Sequence, residues 1–156
     1  MIFASPVLEN SMMTRHALRT AMLALSLAAA APSWAARPAV PLLELGRQQV
    51  VTFDGQPLAL ASMRKAILYG GLTRRWTAVG EQPGVLDLQA ANGGHVVVVE
   101  VAYDAANYEI RYKSSVEMSY DNAGGKPVIH PKYNQWINDL STAIRAAVRT
   151  RNGERY

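Results

Sequence analysis

Seven residues between positions 112 and 136 carry most of the side chains able to bind or react: Tyr112, Ser114, Tyr120, His130, Tyr133, Asn134 and Trp136. Hydroxyls, an imidazole and an amide among flat rings suit polar-aromatic recognition. The connection Asp121–His130 is longer than its neighbours and contains Gly124-Gly125. Its ends must meet if the following segment is to fold back. Tyr120, His130 and Asn134 are therefore expected to cluster, with Tyr133 beside them, as a small binding patch. The competing reading is a structural corner, in which the rings plug a seam and His130 and Asn134 cap the loop.

No motif in the chain names a reaction. There is no cysteine, hence no thiolate nucleophile, disulfide or thiolate metal site. His95 and His130 lie 35 positions apart without an HxxxH or HxxE partner, so both read as surface histidines and no metal site is expected. Ser114-Ser115 falls inside a strand pattern, and no GxSxG or SxxK occurs. Asp104, Asp121 and Asp139 are explained by turns or a helix surface. The glycine pairs at 70–71, 93–94 and 124–125 fit neither phosphate-binding pattern. A non-enzymatic protein without cofactor is the expectation. The alternative is a small hydrolase-like or ligand-converting enzyme centred on His130, which would need Asp121, Ser114 or Tyr120 within hydrogen-bond reach of the imidazole.

The first 35 residues read as an export signal. Arg15 and Arg19 precede the apolar run Ala21–Ala31, broken only by Ser26, and Ser33-Trp34-Ala35 follows with small residues where a signal peptidase reads. Eleven residues rise only ~16 Å as a helix, about half a hydrocarbon core, so a cleaved signal is favoured over an anchor. A membrane-tethered envelope protein with an uncleaved signal is the other reading. Residues 1–12 are unusual ahead of a basic region, and Met12 or Met13 would make a more typical start. Cleavage between Ala35 and Ala36 leaves 121 residues, enough for one domain with its own core. It also leaves 14 basic and 11 acidic residues, a mild and scattered excess that does not point to nucleic acid. The localisation expected is the periplasm. The expected partner is an envelope protein or a small ligand, without stable membrane insertion after cleavage.

The rest of the chain divides into an extended lead-in at 36–57, an α+β domain at 58–150 and a polar, frayed tail at 151–156. The lead-in holds Pro38, Pro41 and Pro57 and one strand-like stretch, Gln49–Phe53. A helix is expected from Ser62, as N-cap, to Arg74, with Met63, Ala66 and Ile67 inward. Gly70-Gly71 reads as its end. Four strands follow, near Arg75–Val79, Val85–Ala90, His95–Tyr103 and Tyr108–Tyr120, separated by short turns and so antiparallel. A loop at Asp104–Asn107 pairs Tyr103 with Tyr108, Val101 with Ile110 and Val99 with Tyr112 on one face. It pairs Glu100 with Arg111 and Val98 with Lys113 on the other. A turn at Asn92-Gly93 would set Leu88 against Val97, and the first hairpin would add Trp76 and Ala78 to the buried face. A second helix is expected from Pro131 to Arg149, its stripe of Tyr133, Trp136, Ile137, Leu140, Ile144, Ala147 and Val148 lying on the sheet. The fold class is α+β: a four-stranded antiparallel meander with two helices packed on one face, behind a signal peptide.

Several of these segments resemble a family of small exported proteins of proteobacteria, many of them lipoproteins. The matching elements are Ala66-Ile67 in the first helix, Arg74-Arg75-Trp76 at a strand start, the Y-x-I-x-Y-x-x-S strand Tyr108–Ser115, and the IH-x-x-YN-x-W helix start Ile129–Trp136. The last is the most specific, and the resemblance spans roughly residues 60–145. It implies export and this fold, and brings no activity. The lipobox cysteine of the family's lipoproteins is missing, so lipid anchoring does not carry over.

Overall fold

The computed structural model describes residues 37–52 and 55–153, with side chains as far as residue 150. The expected signal segment, its cleavage point at Ala35 and Ala36, Phe53 and the tail 151–156 lie outside the described residues or side chains. The elements in order are β1 (Val40–Pro41), β2 (Arg47–Gln49), α1 (Leu60–Thr73), β3 (Trp76–Gln82), β4 (Val85–Asn92), β5 (His95–Tyr103), β6 (Asn107–Val116), β7 (Val128–Ile129) and α2 (Pro131–Gly153). β2-β6-β5-β4-β3 form one five-stranded sheet, and β1 pairs with β7 in a separate two-stranded piece. All of these pairings are antiparallel. The class is α+β as expected, with one more strand in the main sheet than the meander alone supplies.

Alternation of side chains places Leu86, Leu88, Val97, Val99, Val101, Tyr108 and Ile110 on one face, all buried. They join Met63 and Ile67 of α1 and Ile137, Leu140 and Ile144 of α2 in a single apolar cluster. Tyr103↔Tyr108, Val101↔Ile110, Val99↔Tyr112 and Glu100↔Arg111 pair as the loop length requires. Asp104 fixes that loop, its Oδ1 accepting from the backbone N–H groups of Ala106 and Asn107 at 2.7 Å. These bonds, with Arg47 nearby, hold the Asp104 carboxyl below its usual range.

Several details differ from expectation. A bulge after Val98 pairs that residue with Ser114 instead of Lys113. Lys113 reaches Asp87 at 2.7 Å. The β4–β5 turn is Gly93-Gly94, so Leu88 meets Val99 and Leu86 meets Val101, two residues from the pairing expected and on the same face. Both glycines have positive φ, 60° and 85°, which a two-residue turn of this hand demands at both centres. Trp76 is buried as expected, but Ala78, on edge strand β3, is exposed. The last strand stops at Val116 and not at Tyr120, because Glu117 and Ser119 take left-handed φ of 54° and 48° and turn the chain. The strand that the lead-in adds to the main sheet is Arg47–Gln49, and residues 50–52, inside the expected stretch, are not in a strand. It is set by pairing with β6 and not by apolar alternation.

α1 begins at Leu60, two residues before Ser62 leads one to expect. Ala59 is the N-cap without a side-chain bond, its carbonyl accepting from Ser62 and Met63. Leu58, buried and bonded through its N–H to Ala105, fixes that entry. Gly70 and Gly71 lie inside α1, which runs to Thr73, and both are buried. A Cβ on Gly70 would sit 2.8 Å from Ile144 Cα, so Gly70 is where the two helix backbones touch. α2 starts at Pro131, the position where a missing N–H costs nothing. Its stripe is buried as expected except Trp136, which is half-buried with its ring edge-on to Trp76 at 6.5 Å. Among the described residues no helix is long and apolar enough to cross a membrane.

Candidate functional site

Six of the seven residues picked out between 112 and 136 have a definite side-chain partner. Tyr120 stacks on Tyr112, ring centroids 4.3 Å apart and planes 18° apart. Tyr112 also meets Tyr133 edge-on at 5.8 Å. Tyr133 is 1% exposed, so it backs the stack from the core and offers no face outward. Burial pushes its phenol well above the ordinary range, and it stays neutral. Tyr120 is 40% exposed and is the open end of this ladder of three rings. Ser115, not Ser114, completes the group, its hydroxyl 3.0 Å from that of Tyr112.

His130 and Asn134 do other work. His130 is the residue before α2 and caps it: Nδ1 accepts from the N–H of Lys132 at 3.1 Å. Its ring lies 5.0 Å from that of His95, whose Nδ1 bonds the Glu117 carbonyl at 2.6 Å. A nitrogen that accepts from the backbone is not free to carry a proton, so neutral His130 holds its proton on Nε2. His130 therefore faces a second imidazole and a helix start. Among the described residues no group of three or more metal-ligating side chains occurs. Asn134 reaches across 91 and 93 positions of sequence: Oδ1 accepts from Leu43 N–H and Nδ2 donates to the Pro41 carbonyl, both at 2.9 Å. This two-point clamp ties the lead-in to the first turn of α2. From the sequence, Asn134 reads as part of a binding patch or as a cap of the loop. The long-range partner left no local signal.

The clamp shapes the site. Between β1 and β2 the lead-in is drawn toward α2, and the Leu42 N–H bonds Pro127. A groove of about 400 Å³ remains between it and β6. Leu42 and Glu44 form one wall, Arg111 and Tyr112 the other, and Tyr120 and Asn122 the end. Asp121 shapes the end: it bridges Val128 and its Oδ1 accepts from Ala123 N–H at 2.8 Å. Arg111 is engaged by Glu109 at 2.5 Å and by Glu100 at 3.6 Å. Glu44 makes no ion pair among the described residues. The groove thus combines an exposed ring, an amide and a carboxylate that has no ion pair among the described residues.

No family model, no curated protein and no solved structure matches this chain.

Burial, the facing His95, Lys132 and Arg37 lower the His130 pKa below its ordinary value. A histidine with a depressed folded pKa contributes stability above its unfolded value of ~6.5, and loses it as pH falls from there through the folded value. Protonation also removes the lone pair that caps α2. The melting temperature is expected to fall between pH 7.5 and 5.5, and His130→Asn, which caps without titrating, should flatten that slope. An unchanged slope in thermal melts of the variant would assign the effect to other groups.

Proposed function

We propose that the chain is an exported, non-enzymatic binding or accessory module of the cell envelope, soluble in the periplasm once its signal is removed, which takes its ligand in the groove beside Tyr112 and Tyr120. The observation that carries this reading is the Tyr120 ring, stacked and held in place yet open to solvent at the mouth of a groove walled by Glu44 and Arg111. Aromatic faces fixed in advance bind at low cost in conformational entropy, because nothing must be ordered when the ligand arrives. The compartment rests on the basic, apolar and small-residue order of positions 15–35.

Two experiments test the two halves. N-terminal sequencing of the protein from the periplasmic fraction should begin at Ala36, and full-length chain in the membrane fraction would contradict export with cleavage. Capture from periplasmic extract should fall at least tenfold on Tyr120→Ala while the melting temperature moves by no more than about 2 °C, since one exposed ring carries little of the core. Identical capture by both proteins would remove the groove from the function.

A further inference from the structure

The groove runs along a strand edge that the fold leaves open. β2 pairs with β6 only at Asn107, Tyr108 and Glu109. β6 continues to Val116, and no described strand pairs with it on that side beyond Glu109. Two hydrogen bonds fix which way its backbone points. Asp104 N–H donates to Asn107 on the β5 side, and Val50 N–H donates to Ala106 on the β2 side. Alternation then turns Glu109 and Arg111 toward β5, and Tyr108, Ile110 and Tyr112 toward the other edge. Ile110 and Tyr112 both line the groove. The lead-in could have covered this edge by continuing the β2 register. Asn134 holds it instead at Pro41 and Leu43, against α2.

Open edges are templates for a further strand, and proteins usually blunt them with charge or a bulge. Here the bulge comes at Lys113, just past Tyr112, and closes the useful stretch at that point. Of the three charges on the groove, Glu109 and Arg111 neutralise each other and Glu44 does not. We propose that the groove takes an extended peptide, added as a short strand on the β6 edge at Ile110 and Tyr112, with a lysine or arginine side chain placed against Glu44 and an apolar side chain against the Tyr120 ring. The inference rests on the groove being the binding site and adds the ligand class. Main-chain pairing would supply the register, and alternate side chains the preference.

The test selects from a library of random octapeptides displayed on phage, against the full chain. Enriched sequences should carry one fixed basic position with an apolar residue next but one to it. A selected peptide, synthesised and titrated, should slow hydrogen exchange at the Tyr112 amide. Methylating the peptide nitrogens that face the strand should weaken it at least tenfold, and Glu44→Gln should weaken it several-fold while a peptide with norleucine at the basic position is unaffected. An empty selection, enrichment of acidic peptides, exchange protection away from β6, or indifference to N-methylation would each overturn strand addition. If those results appear while Tyr120→Ala still loses the captured extract component, strand addition fails and the groove reading stands. If Tyr120→Ala captures normally as well, both fail.

Discussion

Gly70→Ala should destabilise the domain by about 2–4 kcal/mol, whereas Gly71→Ala, one position on in the same helix, should be neutral or stabilising by up to ~1 kcal/mol. Alanine is the better helix former at both positions, so propensity alone predicts a gain for both. Contact reverses the sign at one. A Cβ at Gly70 meets the Ile144 backbone, with Cα and N each 2.8 Å away, and backbone cannot step aside without moving α2. At Gly71 the nearest atoms are Leu88 Cδ1 and Trp76 Cβ at 3.4 Å, ordinary contact distance. Urea midpoints of the two variants decide it. Equal shifts would mean that the helices do not cross at Gly70.

Tyr133→Ala should cost about 3–5 kcal/mol, and Tyr133→Phe less than ~1 kcal/mol. The ring is 1% exposed and fills the junction between α2 and the Tyr112–Tyr120 stack. Its removal opens a cavity and releases Tyr112, so recognition should fail together with stability. The phenylalanine variant keeps the ring and should keep both. A small loss for the alanine variant in the same urea experiment would place Tyr133 at the surface, where it could contact a ligand directly.

The contrast between these residues marks what could be read from sequence. The faces of β4, β5 and β6 were legible, because alternation leaves only two choices and Tyr103, Val101 and Val99 agree with Tyr108, Ile110 and Tyr112 on one of them. The exact pairing of Leu88 was not, since slipping by two residues keeps every side chain on its face. Which two of Asn92, Gly93 and Gly94 make the turn is decided by φ. The stripe of α2 is legible from its period, but Gly70 looks in the sequence like an ending, because a glycine that stops a helix and a glycine that admits a neighbouring backbone look alike until the neighbour is known. β2 and the β1–β7 pair carry too few residues to show a period, and long-range pairing makes them. Of the candidate site, the long loop after Tyr120 marks that residue in the sequence, but its stacking on Tyr112 does not show there. Its partner Tyr112 depended on the left-handed residues Glu117 and Ser119 turning the chain back. The tie from Asn134 to Pro41 and Leu43, which leaves the groove open, spans more than ninety positions and has no local trace.

The groove beside Tyr120 as the ligand-facing surface is tested most directly by crosslinking in living cells. A photoreactive benzoylphenylalanine replaces Tyr120 in one strain and Val79, on edge strand β3 and more exposed at 53% against 40%, in another. Irradiation should give a discrete adduct from position 120 and none from position 79. Adducts from both positions alike, or from position 79 alone, would contradict the account.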